Sequence, residues 1–125
     1  MKKFAVLGHP VAHSLSPTMH AANFASIGFD ATYEKFDVEP EKLADFIKQK
    51  QAEGYSGLNI TVPHKIAVIP LLDRLDESVK RYGACNTIKF EEDGTLSGYN
   101  TDVIGFVTGL AAHGFSIKGK KVVII

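Results

Sequence analysis

Short apolar runs alternate with amphipathic stretches along this chain, and glycine and proline mark the boundaries between them. Lys3 to Leu7 has the apolar character of a buried strand and is broken at Gly8-His9-Pro10. Ser16-Pro17 reads as a helix start, a capping residue followed by a proline at the first helical position. The helix is predicted to reach Ile27, with Gly28 as its left-handed stop. Ala31 to Asp37 is a second strand. Pro40 opens an amphipathic helix in which Leu43, Phe46 and Ile47 recur at helical spacing, and Gly54 ends it. Gly57-Leu58-Asn59-Ile60 closes a third, buried strand, and Pro63 reads as the first residue of a short helix that Pro70 stops or kinks. Asp76 to Tyr82 is a further helix. Asn86 to Glu91 and Leu96 to Asn100 flank Asp93-Gly94, a hairpin turn signal, and Thr101-Asp102 starts a helix lasting to about Ala112.

Strands alternating with helices predict an α/β fold, a three-layer α-β-α arrangement around an open, twisted, mainly parallel sheet. The hairpin adds an antiparallel component. Residues 1–118 are expected to form one unit. Residues 119–125, a turn and then the apolar Val122-Val123-Ile124-Ile125, read as the first strand of a further domain, so the chain is expected to be an amino-terminal part of a longer protein.

Composition narrows the partners. At 125 residues the chain suits one core, and its 14 basic and 14 acidic residues balance to zero. No basic face for nucleic acid or anionic membrane is implied, which leaves a small molecule as the expected partner. The single cysteine, Cys85, excludes an internal disulfide framework and suits a reducing, cytoplasmic setting. Lys2 and Lys3 before Phe4 to Leu7 imitate an export signal, but the apolar run is far too short. The five histidines show no zinc spacing. Gly114 to Lys121 imitates a phosphate-binding loop but precedes a strand and lacks the final Ser or Thr, and no Gly-x-Gly-x-x-Gly occurs.

The polar residues at element ends form the candidate site. Ser14 and Ser16 follow the first strand; Asn59, Thr61 and Lys65 follow the third; Asn86 begins the hairpin; Asn100-Thr101-Asp102 follows it. Strand ends of α/β sheets are where ligands bind, and hydroxyls and amides with one lysine and one carboxylate suit a polyhydroxylated small acid. His13 and His64 are expected to line the pocket, and His113 to sit at a helix C-terminus. Each residue also has a local reading: Ser16, Thr61 and Asp102 as helix caps, Asn86 as a turn residue, Lys65 as a solvated first-turn lysine. As chemistry, a protonated Lys65 gives a proton to a ketone oxygen as hydride reaches the carbon, and a neutral one takes it back. Asp102 holds the ammonium.

The segments His13-Ser14-Leu15-Ser16-Pro17, Asn59-Ile60-Thr61-Val62-Pro63-His64-Lys65, Gly83-Ala84-Cys85-Asn86-Thr87 and Gly98-Tyr99-Asn100-Thr101-Asp102 resemble the amino-terminal substrate domain of the shikimate dehydrogenase family. The resemblance covers essentially the whole chain. It implies NADPH-dependent, reversible reduction of 3-dehydroshikimate to shikimate, with quinate-accepting or aminoshikimate-forming relatives as alternatives. It also implies that Ser14 and Ser16 hold the substrate carboxylate, that Asn59, Thr61, Asn86 and Asp102 contact its hydroxyls or the reacting oxygen, and that Lys65, paired with Asp102, moves the proton. Glu77 corresponds to a position assigned to the NADP cofactor, which the resemblance places mainly on a second domain. The chain alone is then expected to be inactive. A non-catalytic hydroxy-acid binding module is the alternative of another class, and a homodimer stays open beside a monomer.

Overall fold

The computed structural model describes residues 1–123. Its strands are β1 (Lys2–Gly8), β2 (Ala31–Asp37), β3 (Gly57–Ile60), β4 (Arg74–Leu75), β5 (Thr87–Phe90) and β6 (Leu96–Tyr99). Its α-helices are α1 (Ser16–Ser26), α2 (Leu43–Ala52), α3 (His64–Ala67), α4 (Glu77–Tyr82) and α5 (Asp102–Ala112). One six-stranded sheet has the order β2-β1-β3-β5-β6-β4. The β1–β2, β1–β3 and β4–β6 pairs are parallel, and β5 runs antiparallel to both β3 and β6. The expected hairpin is therefore present, turning at Gly94 in the left-handed region (φ 83°). The two-residue β4 has no counterpart in the sequence reading, because two residues are too few to show a period.

Register explains which face each helix covers. Ala5 pairs with Leu58 and Leu7 with Ile60, and these four join Leu43 and Ile47 of α2 and Ile88 in one buried cluster. The alternate positions point to the opposite face, where Phe4 meets Phe24 of α1 at 5.9 Å between ring centroids. The chain leaves β1 for β2 on one side by way of α1 and crosses back to β3 on the other by way of α2. Adjacent parallel strands whose connections part in this way leave a crevice at their carboxyl ends.

Several helix starts differ from the sequence reading. Helix α1 is preceded by Leu15, so Ser16 is its first helical residue and makes no capping bond. Pro63 precedes α3, and the Thr61 backbone carbonyl, not its hydroxyl, accepts from His64 N–H at 2.9 Å. At α5 the capping acceptor is Asn100, whose Oδ1 receives the N–H of Asp102 at 3.0 Å and of Val103 at 3.4 Å. His64 is a core residue instead of a pocket residue: it is fully buried, with Nε2 and the Val38 carbonyl oxygen 2.7 Å apart. His113 sits at the C-terminus of α5 as expected, its Nδ1 2.9 Å from the Gly109 carbonyl oxygen. Cys85 is completely buried, and burial pushes its thiol pKa up. Of the expected final strand, Gly119 to Val123 are not in strand conformation, and Ile124 and Ile125 lie outside the described residues.

Candidate active site

The crevice between β1 and β3 is a cavity of about 340 Å³. Its walls are the loop after β1, with Val11, His13, Ser14 and Ser16, and the junction after β3, with Thr61 and Val62. Gly8 permits this closeness: a Cβ at that position would lie 2.4 Å from Thr61 Cγ2. The His9 N–H donates to the Val62 carbonyl at 2.9 Å, tying the loop to the junction. From β2, Lys35 Nζ donates to the Ala12 carbonyl and Asp37 Oδ1 lies 2.5 Å from His9 Nδ1. That bond to Asp37 raises the His9 pKa above its ordinary value.

Lys65, four residues beyond Thr61, belongs to a charged and amide-rich array. Lys65 Nζ donates to Asp102 Oδ2 at 2.7 Å, with both side chains partly exposed. Asn86, buried, donates from Nδ2 to Asp102 Oδ1 at 3.0 Å and to Thr101 Oγ1 at 2.8 Å. In return its Oδ1 accepts the Thr101 N–H at 2.9 Å. Both carboxylate oxygens of Asp102 are thus held, and Asp102 is the more exposed partner of the pair. The capping arrangement matters here: because Asn100 caps α5, the Asp102 carboxylate is left to face Lys65. Ser16 and Thr61 likewise keep hydroxyls free of capping bonds.

Of the residues expected from sequence, Lys65, Asn86 and Asp102 are joined by hydrogen bonds, and Ser14, Ser16 and Thr61 share the cavity. Asn59 is tied to the array through the protein: its Nδ2 donates to Thr87 Oγ1 at 3.1 Å and to the Asn86 carbonyl at 3.3 Å. Its Oδ1 accepts from the Tyr33 hydroxyl at 2.6 Å. Glu77 stands apart. It is exposed, paired with Lys80 at 2.6 Å, and lines a different cavity of about 520 Å³ with Arg81, Tyr82 and Ile104. Tyr33 and Thr87 were not singled out by sequence. The alternation in β2 and β5 shows that each faces a side of the sheet, but only the register brings them to Asn59.

The family model described as "Shikimate dehydrogenase substrate binding domain" matches residues 6–88. The chain belongs to the shikimate dehydrogenase substrate-binding domain family. Among its relatives, a protein named shikimate dehydrogenase (NADP(+)) from Moorella thermoacetica is 51% identical over 121 residues, 97% of this chain and 41% of that protein. One of the same name from Desulfitobacterium hafniense is 46% identical over 125 residues, 100% of this chain and 45% of that protein. The crystal structure of shikimate 5-dehydrogenase from Thermus thermophilus in complex with shikimate superposes with a TM-score of 0.88 at 44% identity, covering 95% of this chain and 45% of that one. The chain therefore spans less than half the length of these shikimate dehydrogenases.

Proposed function

We propose that this chain is the substrate-binding part of an NADP-dependent shikimate dehydrogenase that interconverts 3-dehydroshikimate and shikimate. The observation that carries the proposal is the hydrogen-bonded Lys65–Asp102–Asn86 array, with Lys65 following the junction that lines the hydroxyl-bearing crevice. In this reading Ser14, Ser16 and Thr61 donate to the substrate carboxylate and a ring hydroxyl: the Ser14 oxygen accepts the Ser16 N–H at 3.3 Å and keeps its proton to give, and the Ser16 and Thr61 hydroxyls cap no helix. Lys65 faces the reacting oxygen. In reduction its ammonium gives a proton to the oxygen; in oxidation the neutral amine removes the alcohol proton. Asp102 fixes the ammonium by one oxygen and is itself fixed by Asn86 through the other, so the donor is oriented before substrate arrives.

In this reading the cofactor is held mainly by a second domain. When bound, NADPH supplies the hydride. The Glu77 carboxylate can accept from an amide or hydroxyl of such a cofactor and would repel its phosphates. The reading includes a cytoplasmic location, supported by the reduced, buried Cys85. Among the described residues, no helix is long and apolar enough to cross a membrane.

The test is steady-state kinetics of NADP-linked shikimate oxidation by the protein extended to the length of its relatives. Lys65→Ala is expected to lower kcat about 10²- to 10⁴-fold while changing the KM for shikimate little. An unaltered kcat removes Lys65 from proton transfer, and quinate turned over faster than shikimate would replace the named substrate.

A further inference from the structure

The hydrogen bonds around Asn59 continue from β2 to the carboxylate of Asp102, and their polarity is fixed at both ends. Asp102, ionised and paired with Lys65, can only accept, so Asn86 must turn Nδ2 toward it. The Thr101 backbone N–H can only donate, so Asn86 must turn Oδ1 the other way. At the far side, the Asn86 backbone carbonyl can only accept, which turns Nδ2 of Asn59 toward it and Oδ1 toward Tyr33. Thr87 Oγ1, already accepting from Asn59 at 3.1 Å, is left to donate its own proton to Asn86 Oδ1 at 3.1 Å. A single assignment of amides and hydroxyl protons satisfies every member.

We infer that Tyr33, Asn59 and Thr87 form a one-directional hydrogen-bond relay that holds Asn86, and through it the Asp102 carboxylate, in place, making them positioning residues for proton transfer by Lys65. The inference rests on the function proposed above. Tyr33 is suited to the outer position. Burial pushes its hydroxyl pKa up to about 12, so it stays a donor throughout the neutral range. Its ring is held by the His20 ring, stacked at 4.1 Å between centroids and 13° between planes, and burial lowers the His20 pKa, which favours the neutral ring. Without the Tyr33 hydroxyl, Asn59 Oδ1 has no donor. The amide keeps Nδ2 toward the Asn86 carbonyl but loses its outer anchor, so its hold on Thr87 Oγ1 loosens and with it the Thr87 bond to Asn86 Oδ1. In this relay Asn59 acts through the protein.

The experiment uses the protein at the full length of its relatives and compares Tyr33→Phe, Thr87→Val, their double variant and Thr87→Ser. Tyr33→Phe and Thr87→Val are each expected to lower kcat about three- to tenfold with KM for shikimate changed less than about twofold. The double variant is expected to be no slower than Thr87→Val alone, since both break one series of bonds. Thr87→Ser keeps the hydroxyl and is expected to retain the parent kcat. The side-chain amide NMR signals of Asn86 should move in Tyr33→Phe although Tyr33 does not touch that residue. Full kcat in Tyr33→Phe, independent effects in the double variant, or unmoved Asn86 amide signals overturns the relay. If Thr87→Val does not fold, Thr87→Ser and the Asn86 signals decide by themselves. Lys65→Ala measured alongside separates the two ideas: collapse of kcat there with an unaffected Tyr33→Phe removes the relay and leaves the proposed function standing.

Discussion

On the α2 side of the sheet, Ala5, Leu7, Leu58, Ile60 and Ile88 are sealed against Leu43 and Ile47. On the α1 side the neighbouring positions of the same strands carry Tyr33, Asn59 and Thr87, connected by hydrogen bonds that lead to Asp102. In β3 the two sides are interleaved residue by residue, Leu58 and Ile60 facing one way and Asn59 the other. The contrast teaches how a small sheet combines stability with chemistry. Each strand contributes its apolar positions to a dry layer that holds the backbone still, and its polar positions inherit that rigidity.

The sharpest way to break this contrast is to substitute on the two sides separately. Leu7→Ala, at a fully buried position, is expected to cost about 2–5 kcal/mol of stability, read as a shift in denaturant midpoint. The kcat of the molecules that remain folded should stay near the parent value. Lys65→Ala should do the reverse, with turnover collapsing and the midpoint nearly constant. A large loss of kcat in folded Leu7→Ala would show that the dry layer tunes the chemistry as well.

Gly8→Ala tests the seam between the two sides. The added Cβ would press on Thr61 Cγ2 at 2.4 Å and on the Val62 carbonyl oxygen at 3.0 Å. A cost of about 1–3 kcal/mol is expected, together with a several-fold rise in KM for shikimate and a smaller change in kcat. An unchanged KM would take Thr61 out of the substrate pocket. The smallest effect is expected at the hairpin turn, remote from both sides. Bonds from the Thr95 hydroxyl and N–H, with the Arg74 guanidinium, hold the Asp93 carboxyl down at about 2. A depressed carboxyl stabilises the fold above its unfolded-state pKa, and that contribution is lost as pH falls through about 2. Asp93→Asn should flatten the acid end of a stability-against-pH curve and leave the neutral range and the kinetics alike. A curve that keeps its acid slope would assign that slope to other carboxylates.

The element order was readable because strands and helices here carry their own periods and stops, as in Ala31 to Asp37 and at Gly28. The site residues were readable as polar positions at strand ends. What could not be read depends on three-dimensional register. Tyr33 and Asn59 lie on strands separated by β1, and no local pattern states that their side chains meet across it. The capping assignments failed for a related reason. Ser16, Thr61 and Asp102 are all good caps by residue type, yet Asn100 takes the task at α5 through its own side chain, and backbone geometry settles the other two starts. His64 looked like a pocket residue because it sits between Thr61 and Lys65 in sequence. One residue's rotation along α3 turns it inward instead.

Cys85 gives the chain an internal reporter. Its backbone N–H donates to the Lys65 carbonyl at 2.8 Å and its sulfur lies 3.3 Å from the Thr87 carbonyl oxygen, so it is sealed between the backbones of Lys65 and Thr87. A thiol that is both covered and kept protonated does not react with an alkylating reagent until its cover lifts. In the described chain it is the sole sulfhydryl. A timed pulse of such a reagent would therefore count the molecules in which the floor of the site has opened, in the unaltered sequence and with no label added. Bound ligand that holds Lys65 and Asp102 together should slow that clock.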